Sequence, residues 1–210
     1  MTAEDWRVKL KTMEYNRENY LAAVKSKVEN NIFFHSLALE ACMGGIYDYL
    51  KVGGCINENE QPRGDWLLAG LVHDVDYFGE YKETHPKNTK EVLARAGLDL
   101  PGSVDNIIKA HAPERTGVQP QSLAQRAIFC ADSLTGLIVA VALVYPSKKL
   151  ADVKVASVVK RFLKEPKFAA GTRRDQVAMC ADAGGLNIPL EKFIEICLAS
   201  MQKIALEIGL

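Results

Sequence analysis

The chain has no excess of charge of either sign: 26 Lys and Arg balance 26 Asp and Glu over 210 residues. No bulk field therefore draws it to nucleic acid or to an anionic membrane, and any anion it binds must be held locally. A disulfide framework is missing too. The five cysteines (Cys42, Cys55, Cys130, Cys180, Cys197) are odd in number and never closer than 13 residues, which leaves no CxxC motif for zinc or redox chemistry. Reduced, mostly buried thiols are expected. Glycine (15) and proline (8) stand at average usage, which excludes collagen-like and low-complexity sequence, and no internal repeat is visible. The opening MTAEDWRVKLK has no apolar run of the secretory kind, so a cytoplasmic location is expected. One long apolar run, 127–145, carries Asp132 inside it. A carboxylate is expensive in lipid, so the run reads as a buried core helix and no membrane partner is expected.

Sustained period-2 alternation is also lacking, and no strand is predicted. What is present is helical spacing. Tyr20, Leu21, Val24 and Val28 set an amphipathic helix over 16–28. A second helix over 31–52 stops at Gly53 and Gly54, and a polar loop over 55–64 leads to a short buried helix over 65–73. Thr84 marks the start of a helix that Gly97 ends. Others are predicted over 102–111, 121–145, 151–164, 173–183 and 189–208, with Thr172 and Asp175 forming a capping-box-like start to the 173–183 helix. The fold class that follows is all-α: a single-domain bundle of eight or nine helices. Residues 1–30 read as an N-terminal segment and helix, 31–145 as the core carrying the chemistry, and 146–210 as a C-terminal helical extension packed on the same domain. In that extension Phe193, Ile194, Cys197, Leu198, Met201 and Ile204 form one broad apolar face, read first as core packing and otherwise as a homodimer surface.

The histidines carry the information. There are four, His35, His73, His85 and His111, with Asp74 beside His73 and Asp132 in the apolar run. Each falls on or at the end of a different predicted helix, the way a bundle interior assembles an imidazole and carboxylate metal site. His73 and Asp74 close the apolar run LLAGLV, so they must find partners or suffer a large desolvation cost. A bound cation removes that cost. Asp132 faces the same choice, its other reading being a carboxylate that caps a neighbouring helix or bonds Ser133 or Thr135.

The ordered pattern of His35, then His73-Asp74, then Asp132 resembles the HD superfamily of metal-dependent phosphohydrolases over about residues 30–145. Three further segments, HDVDY (73–77), DSLTG (132–136) and PSKKLADV (146–153), are similar to a little-characterised predicted-hydrolase branch of it. The resemblance implies an HD-type helical domain with extra C-terminal helices. It implies metal ligation by His35, His73, Asp74 and Asp132, with His85 and His111 available for a second metal bridged by Asp74. Such mixed donors suit Fe, Mn, Zn, Co or Ni, as one or two ions. Where many members read HDIGK, this chain has Asp76 and Tyr77, so a lysine able to contact phosphate is absent. Asp76 is then a partner that orients a ligand imidazole, or a proton carrier.

The implied activity is hydrolysis of a phosphomonoester or nucleotide by metal-activated water, with Asp74 and Asp76 as the catalytic carboxylates. Phosphoryl transfer needs positive charge round the transferring oxygens. Lys148 and Lys149, Arg115, and Arg173 with Arg174 are the candidate cations, and Tyr77 joins Lys148, Lys149 and Arg115 as a substrate-binding candidate. The expected partner is a small phosphorylated molecule. Two other readings stay open: a di-iron oxygenase on the same scaffold, and a non-catalytic metal-bound domain that senses a nucleotide.

Overall fold

A computed structural model describes residues 15–210; the N-terminal stretch before them, with its leader reading, lies outside the described residues. Among these the chain forms ten α-helices and no strand. They are α1 (Arg17–Lys27), α2 (Asn30–Val52), α3 (Arg63–Val72), α4 (Thr89–Arg95), α5 (Gly102–Lys109), α6 (Pro113–Thr116), α7 (Leu123–Val144), α8 (Val155–Lys164), α9 (Arg174–Ala178) and α10 (Leu190–Lys203).

The axis of the bundle is α2, against which α3, α7 and α10 pack. Five consecutive residues of it, Ser36 to Glu40, are buried, so neighbours surround it on every side. Glu40 is a charge in that interior, and Arg17 of α1 answers it through Nε and Nη2 at 2.7 and 2.8 Å, fastening α1 to α2. Beyond α2 and α4 the chain turns through Gly54 and Gly97, whose φ values of +71° and +74° are the left-handed ones expected of helix-ending glycines.

The crossing of α2 and α3 depends on one residue. A Cβ at Gly70 would lie 2.8 Å from both the N and Cα of Glu40. Only glycine lets α3 approach this closely, and the approach brings the end of α3, where His73 sits, against the start of α2, where His35 sits. The apolar helix α7 opens with a reciprocal Ser122–Gln125 capping box, and 67% of its most apolar window is buried, as a core helix requires. The apolar face of α10 is likewise covered, by α2 and α8.

Local signals failed in two places. The helix expected from Thr84 begins only at Thr89. Residues 84–88 instead wrap the Asp76 carboxylate, with the Asn88 N–H donating to Oδ2 at 2.9 Å and His85 Nδ1 2.6 Å from Oδ1. Thr172 does not cap the helix expected over 173–183, which runs only over α9 and a short 3-10 turn, Met179–Ala181, with Arg173 at its start. Arg174 bonds the carbonyls of Phe162, Glu165 and Phe168 and thereby pins the preceding loop.

Candidate metal centre

Three of the elements that build the centre are helix ends or interiors of the core. His35 rises from the second turn of α2, His73 and Asp74 follow directly on α3, and Asp132 lies inside α7. His111 stands just past the end of α5. His85 comes from the turn ahead of α4, not from a helix.

Their donor atoms converge. His35 Nε2 is 3.1 Å from His73 Nε2, 3.0 Å from Asp132 Oδ1 and 3.7 Å from Asp74 Oδ2. His73 Nε2 is 3.3 Å from the same Asp74 oxygen. The other Asp74 oxygen, Oδ1, is 3.1 Å from His85 Nε2, which in turn is 3.1 Å from His111 Nε2. Two ligand atoms each about 2.1 Å from a shared ion, at right angles, stand about 3.0 Å apart. Two donor groups with these spacings, His35, His73 and Asp74 and then Asp74, His85 and His111, can each hold a metal ion, and Asp74 belongs to both.

The far side of every imidazole is tied. His73 Nδ1 bonds the Gly70 carbonyl at 2.9 Å, His111 Nδ1 that of Ile108 at 2.6 Å, and His85 Nδ1 the Asp76 carboxylate. His35 Nδ1 meets Thr135 Oγ1 at 2.9 Å, and since that hydroxyl donates to the Asp132 carbonyl at 2.7 Å, the imidazole must be the donor. With each Nδ1 spent outward, the four Nε2 atoms point inward. Lone pairs at 3.1 Å repel unless a proton or a cation stands between them, and a ligand imidazole needs this tautomer.

The electrostatics agree. Burial opposes charge on His85, but Asp74 and Asp76 on either side of it outweigh burial and raise its pKa to about 9. For His35 burial is likewise outweighed, chiefly by Asp132, and the pKa is raised. Burial would push Asp74 up, yet His73, His85 and His35 hold it well below the usual carboxylate range, and Asp132 is lowered in the same way by His35. Burial, aided by the neighbouring His73, lowers His111 to about 4. Two carboxylates favoured in their ionised form thus face the imidazoles, a donor set that suits a cation.

Two cavities reach it. One, of about 200 Å³, is lined by Asp74, Tyr77, His85, His111, Glu114, Arg115, Asp132 and Arg173. The other, of about 320 Å³, opens on the His35 side. Arg173 stands between them, bonding Asp132 Oδ2 at 2.6 Å and Ser133 Oγ at 3.2 Å, with Glu114 Oε1 3.6 Å from Nη1. Arg115 is held by the carbonyls of Lys82 and His85 at 3.1 and 3.3 Å. The Tyr77 ring meets His85 edge-on, centroids 5.2 Å apart.

The expected site residues divide accordingly. His35, His73, Asp74, His85, His111 and Asp132 come together, and Tyr77 and Arg115 line the smaller cavity. Asp76 is fully buried, lines neither cavity and bonds His85 Nδ1. Lys148 and Lys149 do not join the centre: they are exposed beyond the end of α7. The helix between Asp132 and Val144 rises about 18 Å. Arg174 is engaged with loop carbonyls elsewhere. Glu114 carried no signal that singled it out, and Thr135, read as a partner for the Asp132 carboxylate, instead bonds the Asp132 carbonyl and meets His35 Nδ1. The chain matches no protein-family model, no curated protein and no solved structure.

Proposed function

We propose that the protein is a metal-dependent phosphohydrolase of the HD type that acts on a phosphomonoester or nucleotide with two divalent transition-metal ions, drawn from Fe, Mn, Zn, Co and Ni. One observation carries this reading: Asp74 presents one oxygen to His35 and His73 and the other to His85, with four imidazole Nε2 atoms turned inward. The order of histidines and aspartates, and the HDVDY and DSLTG segments, resemble that superfamily. A bound divalent cation supplies Lewis acidity and makes water acidic enough to yield a nucleophile near neutral pH.

The chain's own residues provide the rest. Arg115 and Arg173, in a protein with no net charge, place two fixed cations on the cavity that holds Asp74, His85 and His111. They replace the missing lysine of the HDIGK pattern as partners for phosphate oxygens. Arg173 also keeps Asp132 oriented toward His35. Among the described residues Glu114 is the carboxyl lining that cavity outside the donor set, placed to take the proton that the attacking water loses and pass it to the leaving oxygen.

The complete donor set also favours a second reading, a di-iron oxygenase, and a nucleotide-sensing domain without turnover is the remaining alternative. Elemental analysis of the purified chain, followed by phosphate release from a panel of phosphoesters, separates the three. Release that disappears together with bound metal in Asp74→Ala is the expected result. Release that persists in that variant overturns the hydrolytic reading, as does oxygen consumption by reduced iron-loaded protein with no phosphate released. Stabilisation by nucleotides without turnover leaves the sensor.

A further inference from the structure

The two cavities that meet at Asp132 differ in chemistry. The smaller carries Arg115 and Arg173 and suits an anionic group. The larger has His35 and Asp132 at its base, and its wall consists of Ser133, Gly136 and residues 169–172. Among the described residues, His35 and Asp132 are the ionisable side chains that line it, and every other wall residue is small.

Gly136 is the informative one. It lies inside the 22-residue helix α7, one turn beyond Asp132, where glycine weakens a helix relative to alanine. Crowding does not demand it: among the described residues a Cβ on Gly136 meets nothing within 4 Å, whereas at Gly70 the α2 backbone forbids one. Nor does backbone conformation, since Gly136 is absent from the positive-φ glycines. What its missing side chain leaves is open cleft. The opposite wall follows suit, with Gly171 also facing open space and Ala170 exposed. A volume of about 320 Å³ is at the lower end of the range for small-molecule sites, and the Ser133 and Thr172 hydroxyls are the polar groups beside its alanines.

We propose that this cleft receives the alcohol portion of the substrate, an uncharged, hydroxyl-bearing group of about sugar-ring size, and that Gly136 sets its size limit. The proposal rests on the hydrolytic reading above: phosphate at the arginines and metal donors, alcohol against Gly136.

The test uses the metal-loaded full chain with Gly136→Leu and, from the facing loop, Ala170→Leu. Methyl phosphate and ribose 5-phosphate are compared in turnover, and inorganic phosphate and ribose 5-phosphate in thermal shift. The ratio of kcat/KM for ribose 5-phosphate over methyl phosphate should fall about tenfold or more in each variant. Ribose 5-phosphate should stabilise wild type more than phosphate does, and both variants should lose that advantage while keeping the shift due to phosphate. The ligand-free Tm of Gly136→Leu should equal or exceed wild type, because leucine is the better helix former. If that variant melts early, Ala170→Leu decides. Wild type that turns over both esters, with a ratio and a shift advantage unchanged in the variants, overturns the cleft assignment and leaves the hydrolase standing. Wild type that neither binds phosphate nor releases it overturns both.

Discussion

His35, His73 and Asp132 ride on α2, the end of α3 and α7, helices packed directly on one another, whereas His85 sits in a turn and His111 just beyond the short helix α5. The first group is fixed by core packing: α2 and α3 touch backbone to backbone at Gly70, and the Gly70 carbonyl itself orients His73. In the second, His85 depends on a buried carboxylate, Asp76, which holds it and the Asn88 N–H together, and His111 on the Ile108 carbonyl. A donor set positioned by packed helices is better preorganised than one positioned partly by a turn. The first ion should therefore bind tightly and the second more weakly, with Asp74 linking the two.

The most severe way to break this asymmetry is to remove the link. Asp74→Ala should cost both ions and all phosphate release, a larger loss than the roughly 10–100-fold fall in metal affinity that follows loss of a supporting partner. Metal content by elemental analysis checks it, and retention of one full equivalent would refute the bridging role. Asp76→Asn should separate the halves. The second ion should weaken by about 10–100-fold while the first is retained, as read by calorimetric titration of metal-free protein. Equal weakening of both would show that the halves are not independently supported.

Gly70→Ala attacks the other half with a smaller effect. Its methyl would meet Glu40 backbone at 2.8 Å, so α2 and α3 must part. Overpacking of this kind costs about 1–3 kcal/mol, and in a chain of this size each kcal/mol lowers Tm by about 2–4 °C. The first ion should weaken more than the second, the reverse of Asp76→Asn.

Much of this was legible in residue order. His73 and Asp74 ending an apolar run, and Asp132 inside another, announced polar groups in need of a buried partner, and helical spacing without alternation gave the all-α class. The supports were not legible. The Gly70 and Ile108 carbonyls that orient His73 and His111 are main-chain atoms with no residue-type signature. Arg173 bonds Asp132 across 41 residues, a proximity created by packing of α9 on α7. Lys148 looked favourable because it follows the Asp132 helix in sequence, but length along a straight helix carries it away. Thr84 had the chemistry of a cap, yet the buried Asp76 recruited the neighbouring turn more strongly than a helix start could.

The mildest perturbation, a change of pH, should sharpen the comparison without altering any atom of the fold. In the metal-free protein His85 is raised from 6.5 to about 9, so its contribution to stability is complete below about 6.5 and vanishes as pH rises through 9. His111, depressed to about 4, acts in the opposite direction: the folded state loses stability as pH falls from 6.5 toward 4, where unfolded histidine gains a proton that the buried one refuses. An ion entering between His85 and His111 must displace the His85 proton throughout the range below 9. One displaced proton makes the apparent affinity rise about tenfold per pH unit, so the second ion should bind about tenfold more tightly at pH 8 than at pH 7. The first ion's helix-borne donors give it the higher starting affinity. The gap in Tm between metal-loaded and metal-free protein should accordingly widen from pH 6 to 9. Calorimetry in buffers of different ionisation enthalpy counts the proton directly. A second-ion affinity that stays flat between pH 7 and 8.5 would mean that His85 holds no proton for the metal to displace, and that the cluster is organised by something other than its carboxylates.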